Sequence, residues 1–239
     1  MLIEGERELV CAMQAGVTIR SLFSCSTLLS PAGRRLREQA RRAGVPLFSV
    51  SEQLFGKIVY RERSDGLLAI AEQPSHTLDA LSPAERPLLV VVEGVEKPGN
   101  LGAVLRSTDA AGADGVIVCD PATDVYNPNV VRASLGMVFL VPLAQCATSK
   151  AVPWLRERDI QIVAATAHAD VPYTEIDLRP PTVLVIGSEK SGLSVAWQEA
   201  ATFKIQIPMH GHGRSLNLLA ATTILLFEAR RQRAATQRR

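Results

Sequence analysis

From Leu88 onward, short apolar runs alternate with helix-length segments, and this alternation constrains the fold more than any other feature. Leu88–Val92 (LLVVV) contains no polar residue, so a strand formed there must be covered on both faces. Helix signals over Leu101–Ala111, near Asn129 and over Lys150–Arg158 alternate with strand signals at Gly115–Cys119, near Phe139 and at Gln161–Thr166. Thr182–Ile186 and Phe203–Ile207 are the last predicted strands. Ser215–Arg231 is predicted as a closing helix, apolar nearly all round until Glu228. The pattern predicts an α/β fold: a parallel sheet with helices on both faces. No G-x-G-x-x-G follows the first strand, which disfavours a dinucleotide fold. A helix apolar on every side must be buried, within one subunit or against another.

A second, smaller α/β region precedes this one. Glu4–Ala15 places Leu9, Val10 and Met13 on one helical face, Val17–Phe23 alternates like a strand and Pro31–Ala43 is helical. Val45–Val50 and Gly66–Ala71 are predicted strands. Gln73–Pro87 holds three prolines and little periodic hydrophobicity, the signature of a linker. The expected domains are therefore residues 1–73 and 88–239, joined by 74–87.

With 239 residues, 47% of them apolar, the chain can bury a sizeable core. No apolar run approaches the ~20 residues of a membrane span. Glu4, Glu6, Arg7 and Glu8 open the chain, against a secretory signal, so a cytoplasmic location is expected. Cys11, Cys25, Cys119 and Cys146 lack C-x-x-C spacing and are expected as free thiols. The net charge of +2 favours no partner, but its distribution does. Arg34, Arg35, Arg37, Arg41 and Arg42 crowd one helix, with Arg34, Arg37 and Arg41 on one face, and five more arginines crowd the tail. Such patches suit RNA phosphate or a solvated helix face.

Three stretches carry the chemistry: Glu96–Gly112, Val185–Ser194 and Ile207–Ala221. Each puts Gly, Asn, Ser or charged residues directly after an apolar run, where free backbone N–H and C=O groups can meet a ligand. Arg106 sits in an otherwise small, apolar helix, and Asn100 precedes it by six residues. Glu189 is the one acid among small residues of its motif, where it also suits a helix start. Ser215 and Asn217 fall at the start of the last predicted helix, where Ser also serves as a cap. Apolar Ile207 and Met209 suit an adenine face, and Gly211 and Gly213 allow the chain to curl around a ligand. His210 and His212 lie two apart with no Cys or carboxylate nearby, so no metal is expected.

The order N-x-G-x-x-x-R (Asn100–Arg106), G-S-E-x-x-G-L (Gly187–Leu193) and I-P-M…S-L-N (Ile207–Asn217) resembles the three motifs of the SpoU (TrmH) family. These are S-adenosylmethionine-dependent RNA ribose 2′-O-methyltransferases of the SPOUT superfamily. The resemblance spans about Leu88 to Arg230. It implies a deep trefoil knot at the C-terminal end, a homodimer that the last helix helps to form, and an N-terminal RNA-holding domain similar to a small ribosomal protein. Arg106, Asn100, Glu189, Ser215 and Asn217 would then form the catalytic rim. Thr166, Ile186, Gly187, Ile207, Met209 and Leu216 would line the cofactor pocket, and Arg34, Arg37, Arg41, Asn129 and Arg214 would touch RNA. Ribosomal RNA is favoured over transfer RNA, because such an N-terminal domain is more typical of rRNA relatives. Relatives usually continue S-L-N with Val-Ser-Val, whereas this chain has Leu218, Leu219 and Ala220, losing a hydroxyl near the site. That departure leaves open a catalytically silent RNA-binding protein on the same fold.

Overall fold

A computed structural model describes residues 1–60, 64–213 and 215–236. The chain divides into two compact units. Met1–Ser75 and Val125–Leu140 form the first; His76–Asp124 and Val141–Arg239 form the second.

The first unit begins β1 (Leu2–Glu4), α1 (Glu6–Gln14), β2 (Ile19–Ser24), α2 (Pro31–Arg42), β3 (Leu47–Ser49), α3 (Glu52–Ile58) and β4 (Leu67–Ala71). Its sheet has the order β1-β4-β2-β3, with β2 and β3 parallel and the other pairs antiparallel. Alternation along the strands sorts side chains to two faces. Leu22, Leu67 and Ala69 join Leu9, Leu36 and Ala40 in one core. Leu68 packs with Cys25 and Phe55 in another, and Phe23 borders it. Helix α2 starts where its sequence dictates: the Ser30 hydroxyl accepts the Ala32 and Gly33 N–H groups, and Pro31 occupies the first turn. Arg41 and Arg42 end it, complementing the helix dipole.

The segment 125–140 corrects the expected strand near Phe139. It forms α5 (Pro128–Ala133) and α6 (Met137–Leu140), and both pack with the first unit. Leu135 and Gly136 take positive φ and break the chain between them. The Ser134 hydroxyl then accepts the Val138 N–H, so the next turn is helical.

The second unit holds β5 (Leu88–Glu93), α4 (Pro98–Ala111), β6 (Gly115–Cys119), β7 (Leu143–Cys146), α7 (Thr148–Arg156), β8 (Gln161–Ala165), β9 (Val171–Pro172), β10 (Thr182–Ile186), α8 (Val195–Ala200), β11 (Phe203–Gln206) and α9 (Leu218–Thr236). Its seven strands are all parallel, in the order β7-β6-β5-β10-β8-β11-β9. Leu88–Val92 are each at most 1% exposed, as an all-apolar run requires. Each such side chain stabilises the fold by roughly 1.5–3 kcal/mol. The proline-rich 74–87 stretch does not stand clear of this unit. Leu81 enters the core, and the His76 carbonyl accepts the Gln145 N–H at the start of the sheet.

At the entry side of the sheet, Arg233 of α9 donates to four carbonyls, those of Arg86, Pro87, Leu178 and Pro180. Burial pulls its guanidinium pKa below the usual arginine range. Among the described residues, no helix is long and apolar enough to cross a membrane.

From β5 the chain winds outward through β6 to β7, then returns to build the other half beyond β10. The strand order therefore reverses between β5 and β10. A parallel sheet opens a crevice at such a point, beyond the carboxyl ends of the strands.

Candidate active site at the carboxyl ends of the sheet

The crevice is lined by Val95, Glu96 and Lys97 after β5, by Ser188, Glu189 and Lys190 after β10, and by Leu218. All belong to the second unit. Asn100, in the first turn of α4, donates from Nδ2 to Glu189 Oε1 at 2.6 Å. Lys97 Nζ lies 3.8 Å from Glu189 Oε2. Two motifs separated by 89 residues thus meet through a carboxylate that holds an amide on one oxygen and a cation beside the other.

The loop after β10 is closed upon itself. A Cβ on Gly187 would lie 2.2 Å from the carbonyl carbon and oxygen of Gly192, closer than any real contact, so only glycine fits. Gly192 takes φ +65° and donates its N–H to the Ser188 carbonyl at 2.9 Å. The Ser188 hydroxyl accepts the Ser191 N–H and bonds the Ser191 hydroxyl at 2.7 Å.

Beneath this loop lies a buried polar network that the sequence reading missed. Glu93, the last residue of β5, is 8% exposed. It accepts the Ser194 N–H at 2.8 Å and the Thr148 hydroxyl at 3.3 Å. Trp197 Nε1 donates to the same Thr148 oxygen at 3.0 Å. The Thr148 N–H in turn reaches Asp120 Oδ2. A signal existed: a carboxylate ending an otherwise apolar buried strand must find donors. Beside the network, Cys119 and Cys146 are register partners on β6 and β7. Their mutual hydrogen bond, helped by burial, pushes the Cys119 thiol up; the same bond draws Cys146 down. None of the four cysteines is joined in a disulfide.

The expected pocket residues fall on neighbouring strand ends. Ile186 ends β10, Thr166 follows β8 and Ile207 follows β11, and these three strands are adjacent. The Thr166 N–H donates to the Ile205 carbonyl, and its hydroxyl accepts the His168 N–H. Met209 and Leu216 are both 37% exposed. A Cβ on Gly211 would meet nothing within 4 Å, so close packing within the protein does not demand glycine there. Arg214 lies outside the described residues.

Helix α9 begins at Leu218, three residues later than Ser215, where the sequence pattern starts it. Asn217 is its cap: Oδ1 accepts the Ala220 N–H at 2.7 Å and its carbonyl the Ala221 N–H at 3.1 Å. Ser215 is exposed just before it. Arg106 is exposed on α4, while Leu101, Val104, Leu105 and Thr108 face inward. Six helical residues turn through roughly 240°, so Asn100 and Arg106 occupy different faces of α4. The Ser107 and Thr223 hydroxyls join α4 to α9 at 2.9 Å.

In the first unit, Arg37 donates to the Ser24 and Ser49 hydroxyls, Arg34 to the Leu29 carbonyl and Arg41 to Glu38. Asn129 is exposed in the first turn of α5, its N–H held by Asn127 Oδ1.

Carboxylates at the crevice rim, the loop that Gly187 allows to close on Gly192, and apolar Ile186 and Ile207 at nearby strand ends suit an adenosyl sulfonium cofactor. Known proteins agree. Residues 87–227 match the SpoU rRNA Methylase family and residues 1–69 an MRM3-like substrate binding domain. The 23S rRNA (uridine(2479)-2'-O)-methyltransferase of Streptomyces viridochromogenes is 33% identical, over 97% of this chain and 83% of that protein. A crystal structure described as an RNA 2'-O ribose methyltransferase is 40% identical, with a TM-score of 0.85 over 98% of this chain and 89% of its own. The SpoU methyltransferase AviRb from S. viridochromogenes, in complex with the cofactor AdoMet, gives 0.91 at 32% identity, covering 98% of this chain and 91% of its own. With its motifs gathered at the strand ends and residues 87–227 matching the family model, the chain belongs to the SpoU rRNA methylase family.

Proposed function

We propose that the protein transfers a methyl group from S-adenosylmethionine to a ribose 2′-hydroxyl of structured RNA, of the 23S ribosomal type. The observation that carries this reading is the Asn100–Glu189 bond, which joins two of the three motifs at the crevice. Relatives named as 23S rRNA 2′-O-methyltransferases favour rRNA over tRNA.

The cofactor supplies an electrophilic methyl group on a sulfonium. Ile186, Ile207, Met209 and Leu216 offer apolar surface to its adenine, Gly187 offers its backbone from the loop that closes on Gly192, and Thr166 lies at the adjacent strand end. Asn100 and Glu189 brace the rim, with Ser215 and Asn217 at its α9 side. Arg106 grips the phosphate beside the target ribose and stabilises negative charge developing on the 2′-oxygen. A guanidinium has no lone pair to accept the hydroxyl proton, so its role is electrostatic.

In the same reading the C-terminal end is threaded as a deep trefoil knot, the protein works in the cytoplasm, and two copies pair through α9, whose Phe227 is 49% exposed. The residue 1–73 region, similar to a small ribosomal protein, holds RNA through Arg34, Arg37 and Arg41, with Asn129 and Arg214 contributing.

The test supplies labelled S-adenosylmethionine with unmodified 23S rRNA and with tRNA, followed by digestion to nucleosides. Label in a 2′-O-methylnucleoside from rRNA supports the reading, and label on a base overturns the role given to Arg106. Cofactor binding without transfer to naked rRNA directs the assay to ribosomal particles; failure there too, or no cofactor binding at all, rejects the activity. Arg106→Ala should lower kcat by roughly 10²–10³ with cofactor affinity unchanged.

A further inference from the structure

Two of the four thiols face each other. Cys119 ends β6 and Cys146 ends β7, and they are register partners on these parallel neighbours. Partners in that register point to one face of the sheet, and both pack with the same core cluster. Adjacent strands run about 4.8 Å apart, within the ~4.4–6.8 Å between Cα atoms that a disulfide spans. The two sulfurs already share a hydrogen bond. Cys11 and Cys25, by contrast, bond oxygen: the Leu135 carbonyl and the Thr27 hydroxyl.

The pair is also unequal. Cys119 is fully buried, whereas Cys146 is partly exposed, two residues ahead of α7. The hydrogen bond with Cys119 draws the Cys146 thiol down despite its burial, and Lys150 in the first turn of α7 adds to this. Cys146 is thus the sulfur that solvent reaches and the one that ionises first, while Cys119 keeps its proton. Thiols present only as small apolar side chains would need neither the alignment nor this asymmetry.

We propose that Cys146 and Cys119 form a site of reversible oxidation, with Cys146 the attacking thiol, Cys119 the resolving thiol and a peroxide the oxidant. The Cys146 thiolate attacks one peroxide oxygen and the O–O bond breaks. Two electrons pass from sulfur to peroxide, hydroxide leaves and takes up the proton that Cys146 lost, and Cys146 becomes a sulfenic acid. The Cys119 sulfur then attacks the sulfenic sulfur. The S–S bond forms, the S–O bond breaks, and the hydroxyl departs as water with the Cys119 proton. A dithiol reverses the change by exchange.

The same strand ends carry the network beneath the loop 187–194. The Cys119 carbonyl accepts the Gly94 N–H at 2.9 Å, and the Cys146 carbonyl the Asp120 N–H at 3.1 Å. Asp120 holds the Thr148 N–H, Thr148 reaches Glu93, and Glu93 holds Ser194. A disulfide brings the sulfurs to about 2 Å, and the strand ends that bear them must shift. Oxidation should therefore weaken S-adenosylmethionine binding; this consequence, unlike the oxidation site itself, rests on the methyltransferase reading.

The experiment treats the full chain with hydrogen peroxide and maps its peptides by mass. The expected product is a Cys119–Cys146 linked peptide, lighter by two hydrogen atoms and split again by dithiothreitol. Cys119→Ser should stop at a Cys146 sulfenic acid that dimedone traps, and Cys146→Ser should leave Cys119 unmodified. Absence of the link in the folded wild-type protein overturns the site, as does a link that prefers Cys11 or Cys25. Calorimetry on the oxidised protein should show S-adenosylmethionine affinity lowered about fivefold or more, recovering with dithiothreitol. Recovery separates the disulfide from oxidation of the exposed Met209, which a dithiol does not reverse. A linked protein of unchanged affinity removes the coupling to the crevice. Formation of the link in a protein that binds no S-adenosylmethionine even when reduced keeps the oxidation site and sinks the methyltransferase reading.

Discussion

Two loops at the same end of the sheet differ sharply in how they are held. The loop 187–194 is fixed from within by the Ser188–Gly192 closure and from below by Glu93. The described residues of 208–216 make no hydrogen bond, and the next in the chain begin at Asn217. Both follow parallel strands of one sheet, the buried β10 and the more exposed β11, and both belong to family motifs, so proximity to the sheet alone does not explain the difference. The difference lies in where the donors and acceptors go. In one loop they satisfy each other; in the other they remain free for a ligand. A wall closed on itself has a shape fixed before any ligand arrives, whereas unbonded backbone groups gain partners only when a ligand supplies them.

The sharpest way to break this comparison is Gly187→Ala. Its methyl would overlap the Gly192 carbonyl, so the wall must open. We expect roughly 3 kcal/mol of destabilisation in urea unfolding and loss of measurable S-adenosylmethionine binding. A variant that binds cofactor normally would show that the wall is not preformed.

Next in size is the response to cofactor. Saturating S-adenosylmethionine should slow amide exchange across 208–216 at least tenfold, with little change over 187–194. Equal protection of both loops would erase the distinction.

Asn217→Ala should cost about 1 kcal/mol, because one α9 N–H loses its cap. Asn217→Asp should recover most of that in thermal unfolding. No recovery would mean that the side chain does more than cap.

The smallest effect concerns acid. Glu38 is held near pKa 2 by its hydrogen bonds to Arg41 and then Arg42. Asp177 is lowered by Arg179 and Glu228 by Arg231. Each lies below its unfolded value, so the stabilisation is complete above about pH 4.5 and fades as pH falls toward about 2. The Glu38 and Asp177 pairs are exposed, Glu228 is largely covered beside an exposed Arg231, and all lie outside both loops. A Tm series from pH 5 to pH 3 should therefore decline gently, and less than either variant above. A steep drop would implicate carboxylates of the loops themselves.

Much of this was legible in the sequence, for reasons that can be named. Leu88–Val92 and Thr182–Ile186 were plain because a run without polar residues, buried on both faces, has few alternatives. The motif residues Asn100 and Glu189 were legible individually, and the structure joins them. Helix α3 escaped notice because its seven residues, Gly56 among them, carry too little period. The predicted strand near Phe139 failed because positive φ at Leu135 and Gly136 redirected an apolar stretch into a helix. Its packing with the N-terminal unit has no local signal at all. The same holds for Glu93, whose partners Thr148 and Ser194 lie 55 and 101 residues away. Periodicity reports on neighbours in the chain, and these bonds join residues that become neighbours only when the sheet is complete.

Arg233 ties the base of the sheet to residues made much earlier in synthesis. The carbonyls of Arg86 and Pro87 leave the ribosome about 147 residues before the guanidinium that will bind them. At typical elongation rates of ~5–20 residues per second, they wait on the order of ten seconds or more. Through that interval the first strand of the sheet can pair with its neighbours but cannot be latched at its base. The nascent domain thus remains open to rearrangement until Arg233 itself has emerged.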